Sequence, residues 1–344
     1  MKIGIKLSSE ELKNLQVLSS THLAISITEQ CSLKCSHCIV GSGGGGQNRS
    51  GLTAEMTRSI ARELKVLRQR GVRKISFTGG EPLLAGETLH TLSQAACEND
   101  IKTTVVTSAF FAGTLDDSYK EMKKYPFISE WHISSDIFHQ KYVSIDNVVN
   151  AAQTALMLER KALVRMAAAK PAADADIAHY NWLKNNLPQG VGIIVQPVIK
   201  SGRAGELNLS IKTAKVPGWP CITNGMTVRV DGTVSPCCAG LVAVKTGHPF
   251  IYENIFAAGL VQVYDSWCED PLLKLIQAVG FMPLLAWINQ SIPEHPVLQA
   301  VPEHPCECCL AIWKHPEAAA VIQNRLRAPG VIEKINQLYE VVFK

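Results

Sequence analysis

Three cysteines stand close together in Cys31-Ser-Leu-Lys-Cys35-Ser-His-Cys38, just after an apolar run from His22 to Thr28. A loop with this C-x3-C-x2-C spacing aims three thiolates at three corners of one iron–sulfur cube and leaves the fourth iron without a protein ligand. An open iron implies a small molecule that binds there. Zinc fits the spacing poorly, since a structural zinc site wants a closed set of four ligands, usually two C-x2-C pairs or one such pair with two histidines. His37, set between two of the cysteines, reads as a group supporting a ligand. A second motif, Ile75-Ser-Phe-Thr-Gly79-Gly80-Glu81-Pro82, closes a strand-like run. Two glycines let a backbone approach a ligand closely, and Glu81 supplies a carboxylate that can hold an ammonium group. Alone, that ending is an ordinary turn.

A second set of cysteines lies past residue 210. Cys221 follows Pro217-Gly-Trp-Pro220, Cys237 and Cys238 follow Pro236, and His304-Pro-Cys306-Glu-Cys308-Cys309 comes much later. Between the first two, Met226 to Val230, Asp231-Gly232 and Thr233 to Ser235 read as a β-hairpin with an Asp-Gly turn. Adjacent cysteines point in different directions, so one of Cys237/Cys238 and one of Cys308/Cys309 stands outside any ligand set; the sequence does not say which. Cys97 and Cys268 sit in helical patterns and read as buried small apolar residues.

The elements that must position these groups alternate. Strand-like segments over Lys74 to Thr78, Lys102 to Thr107, Glu130 to Ser134, Leu163 to Ala168 and Gly192 to Gln196 are separated by helix-like ones, beginning with Thr53 to Arg70, where Met56, Ile60, Leu64 and Leu67 recur at helical spacing. With the first strand this makes six β/α units, an α/β chain with a parallel sheet and helices outside. In barrel-type sheets chemistry gathers at the C-terminal ends of the strands. Both motifs sit there, as do Thr107-Ser108, Ser134-Ser135-Asp136 and the segment Gln196 to Ala204. Gly41 to Gln47 lacks the lysine of a phosphate loop and reads as a flexible connector over the cysteine loop. Residues 1 to 20 read as a short lead-in, and Ala318 to Phe343 as a helical tail packed on the core.

With 344 residues the chain is long enough for one large domain and a smaller one. Its 34 Lys and Arg against 30 Asp and Glu are dispersed, so nothing argues for nucleic acid as a partner. The first residues lack the apolar core of a signal peptide, and the most apolar segment, Ala278 to Ile288, is short and contains Pro283, so no membrane span is expected. Eleven cysteines without an export signal point to a reducing, cytoplasmic setting and to metal ligation.

Together the cysteine loop and the Gly79-Gly80-Glu81-Pro82 strand end, one strand–helix unit apart, resemble the radical S-adenosylmethionine (SAM) superfamily. The resemblance implies a partial (β/α)6 TIM-like barrel. It implies a [4Fe-4S] cluster on Cys31, Cys35 and Cys38, whose open iron chelates the amino and carboxylate groups of SAM. An electron from an external donor such as flavodoxin or ferredoxin would then release a 5′-deoxyadenosyl radical that takes a hydrogen atom from the substrate. It places Gly79, Gly80, Glu81, Pro82, Ser108, Ser134, Asp136 and Arg165 around SAM, with Ser108 standing where relatives often carry Thr-Asn-Gly.

The later cysteines resemble SPASM/twitch extensions, which hold an auxiliary cluster, and the arrangement is closest to radical SAM peptide epimerases of the epipeptide type. Shared features are a Cys before a hairpin, Pro-Cys-Cys after it, a helical insert with Gly280-Phe281 to Leu284-Leu285, and a closing C-x2-C. On that pattern Cys221, Cys237, Cys306 and Cys309 hold a second [4Fe-4S] cluster, and Cys238 is the hydrogen donor. The implied division is a lead-in (1–20), a SAM barrel (21–209), an auxiliary domain with iron and sulfur (210–315) and a tail (316–344). The implied activity is epimerisation of a ribosomal peptide or another small natural product. The alternative is an oxidative crosslink or dehydrogenation, with the auxiliary cluster taking the electron. A mere electron carrier would not need the Gly-Gly-Glu-Pro strand end.

Overall fold

The computed structural model describes residues 8–43, 50–215, 220–222, 225–244 and 246–343. Gly44 to Gln47 of the glycine-rich connector, Pro217 to Trp219 and the first seven residues of the lead-in lie outside the described residues. The rest of the lead-in is helix α1 (Ser9–Ser20), started by a reciprocal cap: the Ser8 hydroxyl accepts from Glu11 N–H at 3.2 Å, and the Glu11 carboxylate accepts from Ser8 N–H at 2.7 Å.

The expected alternation then follows as β1 (His22–Thr28), α2 (Ala54–Gln69), β2 (Lys74–Gly79), α3 (Gly86–Glu98), β3 (Lys102–Thr107), α4 (Leu115–Met122), β4 (Glu130–Ser134), α5 (Ile145–Met157), β5 (Lys161–Ala168), α6 (Asp174–Asn186) and β6 (Gly192–Pro197). Thr53, Thr114 and Ser144 cap α2, α4 and α5 with their hydroxyls. Neighbouring strands from β1 to β6 pair in parallel and in chain order. Each strand splits its side chains between two faces. Leu23, Ile25 and Ile27 of β1, Ile75 and Phe77 of β2, Val105 of β3, and Trp131 and Ile133 of β4 share one buried core with Ile60, Leu64 and Leu67 of α2 and Leu89 and Leu92 of α3. The alternate positions are polar: Ser26, Ser76, Thr104, His132 and Arg165.

Past residue 210 the alternation stops, as the sequence indicates, and the hairpin forms from β7 (Met226–Val228) and β8 (Val234–Ser235), with Gly232 at φ +78° in its turn. The hairpin joins the main sheet. β7 pairs in parallel with β1, giving the order β6-β5-β4-β3-β2-β1-β7-β8 with β1 in the interior. The remaining helices are α7 (Ile255–Ala258), α8 (Leu260–Glu269), α9 (Pro271–Val279), α10 (Met282–Ser291), α11 (Pro296–Gln299), α12 (Pro305–Trp313), α13 (Pro316–Leu326) and α14 (Val331–Phe343). Residue Glu63 of α2 ties this half to the first, its carboxylate accepting from Leu260 N–H at 2.9 Å and Val261 N–H at 2.8 Å at the start of α8. Leu260, Trp267, Leu273, Leu284 and Ile312 belong to the same core as β1.

The apolar Ala278 to Ile288 stretch is the junction of α9 and α10, bent by 111° at Gly280, whose φ is +72°. Among the described residues no single helix is long and apolar enough to cross a membrane. The tail is two helices, parted at Gly330 (φ +73°). Cys97 departs from its expected burial. It is exposed on α3, one position round the helix from buried Ala96, because Leu89, Leu92, Ser93 and Ala96 define the inward face. Cys268 is half-buried against the core.

Candidate active site

The cysteine loop leaves the C-terminal end of β1 and is fastened on two sides. On one, Gly80 N–H donates to Thr28 O at 2.7 Å and Glu81 N–H to Gln30 O at 2.7 Å. A side chain on Gly79 would put its Cβ 2.1 Å from Thr28 O, and one on Gly80 would stand 1.9 Å from Gln30 O. Gly79 also has φ +130°. What these glycines approach so closely is therefore the chain leading into Cys31, where the sequence alone pointed to a ligand. On the other side Arg203 donates through its backbone N–H to Cys38 O and through Nε to Cys35 O, both at 3.0 Å. Gly202, at φ +56°, lies against Ile39 O, and the Tyr142 hydroxyl donates to Lys34 O at 2.8 Å. Leu33, Cys35 and Val143 form a small buried cluster with Phe110 and Cys31 against it.

Cys31 feels the other two sulfurs. Burial pushes the Cys31 thiol up to about 11, the Leu33 N–H that donates to its sulfur at 3.4 Å opposes this, and the fields of Glu81, Cys35 and Cys38 push further up. Three thiols from one rigid loop, crowded enough to repel as thiolates, fit a cationic iron–sulfur centre.

Asp136, expected beside SAM, lies behind Cys35. It is 1% exposed and both its oxygens are engaged. One accepts from Phe138 and His139 N–H at 3.0 Å each; the other lies 2.9 Å from His139 Nδ1, 3.4 Å from His37 Nε2 and 3.3 Å from Ala167 N. Ring nitrogens of His37 and His139 and the Cys35 sulfur all fall within 4.8 Å of one another. Burial works against charge at His139, but hydrogen bonds to Asp136 and Cys35 outweigh it and raise its pKa to about 10. The sequence carried one signal for this network, the Asp-x-x-His spacing.

Glu81 is 1% exposed, and Ser108 occupies one of its oxygens through N–H at 2.9 Å and hydroxyl at 2.7 Å, while the other takes Leu83 N–H at 3.4 Å. Burial raises its pKa against these bonds. Pro82 starts the helical turn that follows. Ser134 and Arg165 are register partners across β4 and β5, and Arg165 donates to Gln196 Oε1 on β6 at 2.7 Å. Deeper on the same face lies a group that sequence reading missed. Lys74 of β2 meets Glu130 of β4 at 2.7 Å, and the other Glu130 oxygen takes His132 Nε2 at 3.0 Å.

The second cysteine set also converges. Cys221 is tied to α9 through its N–H to Ile276 O at 2.8 Å, Cys237 follows β8, and Cys306 and Cys309 lie in the first turn of α12. Positions three apart share a helix face, which turns both these sulfurs the same way and sends Cys308, 0% exposed, into the core. Burial raises the pKa of Cys221, Cys306 and Cys309, and each also feels the Cys237 thiolate. N–H groups point at these sulfurs: the Ala239 and Leu241 amides at Cys237, the Gly240 amide at Cys306, and the Trp313 indole Nε1 at Cys309 Sγ, 2.9 Å away. Cys238 is half-exposed and its field acts on Cys306. Four thiols sharing one field, with donors turned toward them, fit a closed metal centre.

The sequence pattern of the Radical SAM superfamily matches residues 25–167. Among curated proteins, Molybdenum cofactor biosynthesis protein 1 of Drosophila melanogaster is 36% identical over 74 residues, 22% of this chain and 13% of that protein. GTP 3′,8-cyclase of Corynebacterium glutamicum is 38% identical over 66 residues, 18% of this chain and 16% of that one. The chain thus spans under a fifth of the length of these relatives. Among solved structures, native anSMEcpe with bound AdoMet superposes with TM-score 0.54 at 14% identity, over 92% of this chain and 99% of that one. The same protein with bound AdoMet and Cp18Cys peptide gives 0.53. At such identity the likeness is one of fold.

Proposed function

We propose that this chain, which carries a Radical SAM superfamily domain over residues 25–167, is a SAM-cleaving enzyme that abstracts a hydrogen atom from its substrate and returns one through Cys238. The observation that carries the reading is the loop of Cys31, Cys35 and Cys38, locked between Gly79-Gly80-Glu81 and Gly202-Arg203 at the strand end. A [4Fe-4S] cluster held there with SAM supplies the one-electron cleavage of the sulfonium bond that yields a 5′-deoxyadenosyl radical. We take the parallel strands β1 to β6 to form a partial barrel with SAM on its polar face. Arg165, which donates to the Gln196 amide oxygen and among the described residues pairs with no carboxylate, offers its guanidinium to the SAM carboxylate. Glu81, Ser108 and Ser134 line the same strand ends, with Gly79, Gly80 and Pro82 holding them in place and Asp136 fixing the histidines behind Cys35.

Cys221, Cys237, Cys306 and Cys309 would hold a second [4Fe-4S] cluster. Cys238, next to this set and half-exposed, would give its S–H hydrogen to the carbon radical, and the sulfur radical left behind would be restored by one electron from a protein donor and one proton. The net change is inversion of one carbon centre in a ribosomal peptide or small natural product. The amide-lined second centre supports the oxidative alternative, in which it accepts an electron from the substrate radical. A cytoplasmic setting belongs to the same reading.

Two measurements test this. Under anaerobic reduction the wild type should convert SAM to 5′-deoxyadenosine, and Cys35→Ala should lose at least a hundredfold of that rate; unchanged turnover in the variant removes the site. In deuterated water with a panel of ribosomal peptides, one deuterium in an otherwise unchanged mass, lost in Cys238→Ala, supports inversion. A loss of two hydrogens that survives the substitution means oxidation.

A further inference from the structure

Arg229, which follows β7, is 8% exposed, yet among the described residues no carboxylate forms an ion pair with it. Its Nη2 donates to Leu241 O at 3.1 Å and Val244 O at 2.7 Å, and among the described residues its buried Nε finds no acceptor. Burial pushes its pKa down, opposed by the fields of Asp231 and Cys237. A guanidinium removed from water without an ion pair is costly, and the negative groups that act on this one are Asp231 and the Cys237 thiol on the far side of the turn. The carbonyls it binds belong to the turn whose Ala239, Gly240 and Leu241 amides point at the Cys237 and Cys306 sulfurs. The turn is thus held between a cation on its carbonyl side and thiols on its amide side. A cube held by four thiolates carries net negative charge, and the charge and hydrogen bonds around it set its potential.

We propose that Arg229 is the built-in counter-cation of the metal centre on Cys221, Cys237, Cys306 and Cys309, holding that centre in the fold and raising its reduction potential. The proposal rests on the reading of these four cysteines as a cluster site. Arg229 is a positioning residue, since the 239–244 turn stands between it and the sulfurs.

The test uses the full chain, reconstituted anaerobically with ferrous iron and sulfide, as wild type, Arg229→Gln and Arg229→Lys. Iron content, thermal midpoints with and without iron, and an EPR-monitored redox titration are read. The cluster on Cys31, Cys35 and Cys38 is recognised by the change SAM makes in its signal. Wild type should hold the iron of two clusters. In Arg229→Gln the SAM-insensitive cluster should be partly lost or titrate at lower potential, and the stabilisation gained on adding iron should shrink; Arg229→Lys should restore both. Equal thermal losses with and without iron, at unchanged potential, would make Arg229 a mere clasp for the turn and overturn the proposal. Should the Gln chain not fold, a Lys variant titrating at wild-type potential supports it, and one falling well below overturns it. Wild type with the iron of one cluster only would remove the second cluster itself, a different failure.

Discussion

At the scale of single residues, the two glycines of the Gly79-Gly80-Glu81 turn act by having no side chain. Gly80→Ala would place a methyl 1.9 Å from the backbone oxygen of Gln30, which cannot swing away as a side chain could. The expected outcome is a loss of about 3 kcal/mol or more of stability and weaker retention of iron by the Cys31 loop, read by urea unfolding and metal analysis. Native stability with full iron content would contradict it. The sequence indicated that something must come close to these glycines. It could not indicate that the partner is the chain some fifty residues earlier, because a glycine records the need for room and not its cause. The role of Ser108 was visible only as a departure from Thr-Asn-Gly, and its two bonds to Glu81 give the reason. Arg229 left no mark at all, since an isolated arginine after a strand is an ordinary surface residue until the fold covers it.

At the scale of elements, the strand–helix alternation was legible because apolar residues repeat at 2 in one kind of segment and 3.6 in the other. That Cys306 shares a helix face with Cys309 and not with Cys308 follows from the same arithmetic once α12 is known to start at Pro305. The Lys74–Glu130–His132 group was not legible, for it joins β2 to β4 over the intervening β3 and needs the register of three strands. Its consequence is a pH dependence. Hydrogen bonding by His132, then by Lys74, overcomes burial and holds the Glu130 carboxyl at about 2 instead of 4.5. A depressed carboxyl contributes stability that is present above its unfolded value and disappears as pH falls through the folded one. The contribution is thus intact above about 4.5 and gone below about 2, and is worth at most about 3 kcal/mol. Glu130→Gln should flatten the stability curve between those limits. A variant that keeps the wild-type acid slope would show that the group does not couple to folding.

At the scale of the whole molecule, the hairpin after residue 210 does not stand apart. β7 completes the hydrogen bonding of β1, and one core runs from Leu23 to Ile335. A chain ending at Leu209 would leave β1 an uncovered edge and bare the apolar faces that α8, α9 and α12 now bury. It should aggregate and show no cooperative melting in scattering and calorimetry; a monomer melting near the intact chain's temperature would refute this. The cysteine spacings let a second centre be expected. That the second cysteine set would lie beside the hairpin on the other side of the same strand could not be foreseen, since pairing across some two hundred residues leaves no local pattern.

That pairing also sets a timetable. β1 and its cysteine loop leave the ribosome about two hundred residues before β7, which at roughly 5–20 residues per second is a wait of roughly 10–40 seconds. During that interval the strand carrying Cys31, Cys35 and Cys38 has only one of its two neighbours, and Cys221 and Cys237 then wait in turn for Cys306 and Cys309. If the two proposed clusters form on these cysteines, both would mature late, and the newborn chain would need its thiols kept reduced and unclaimed until its last helices have been made.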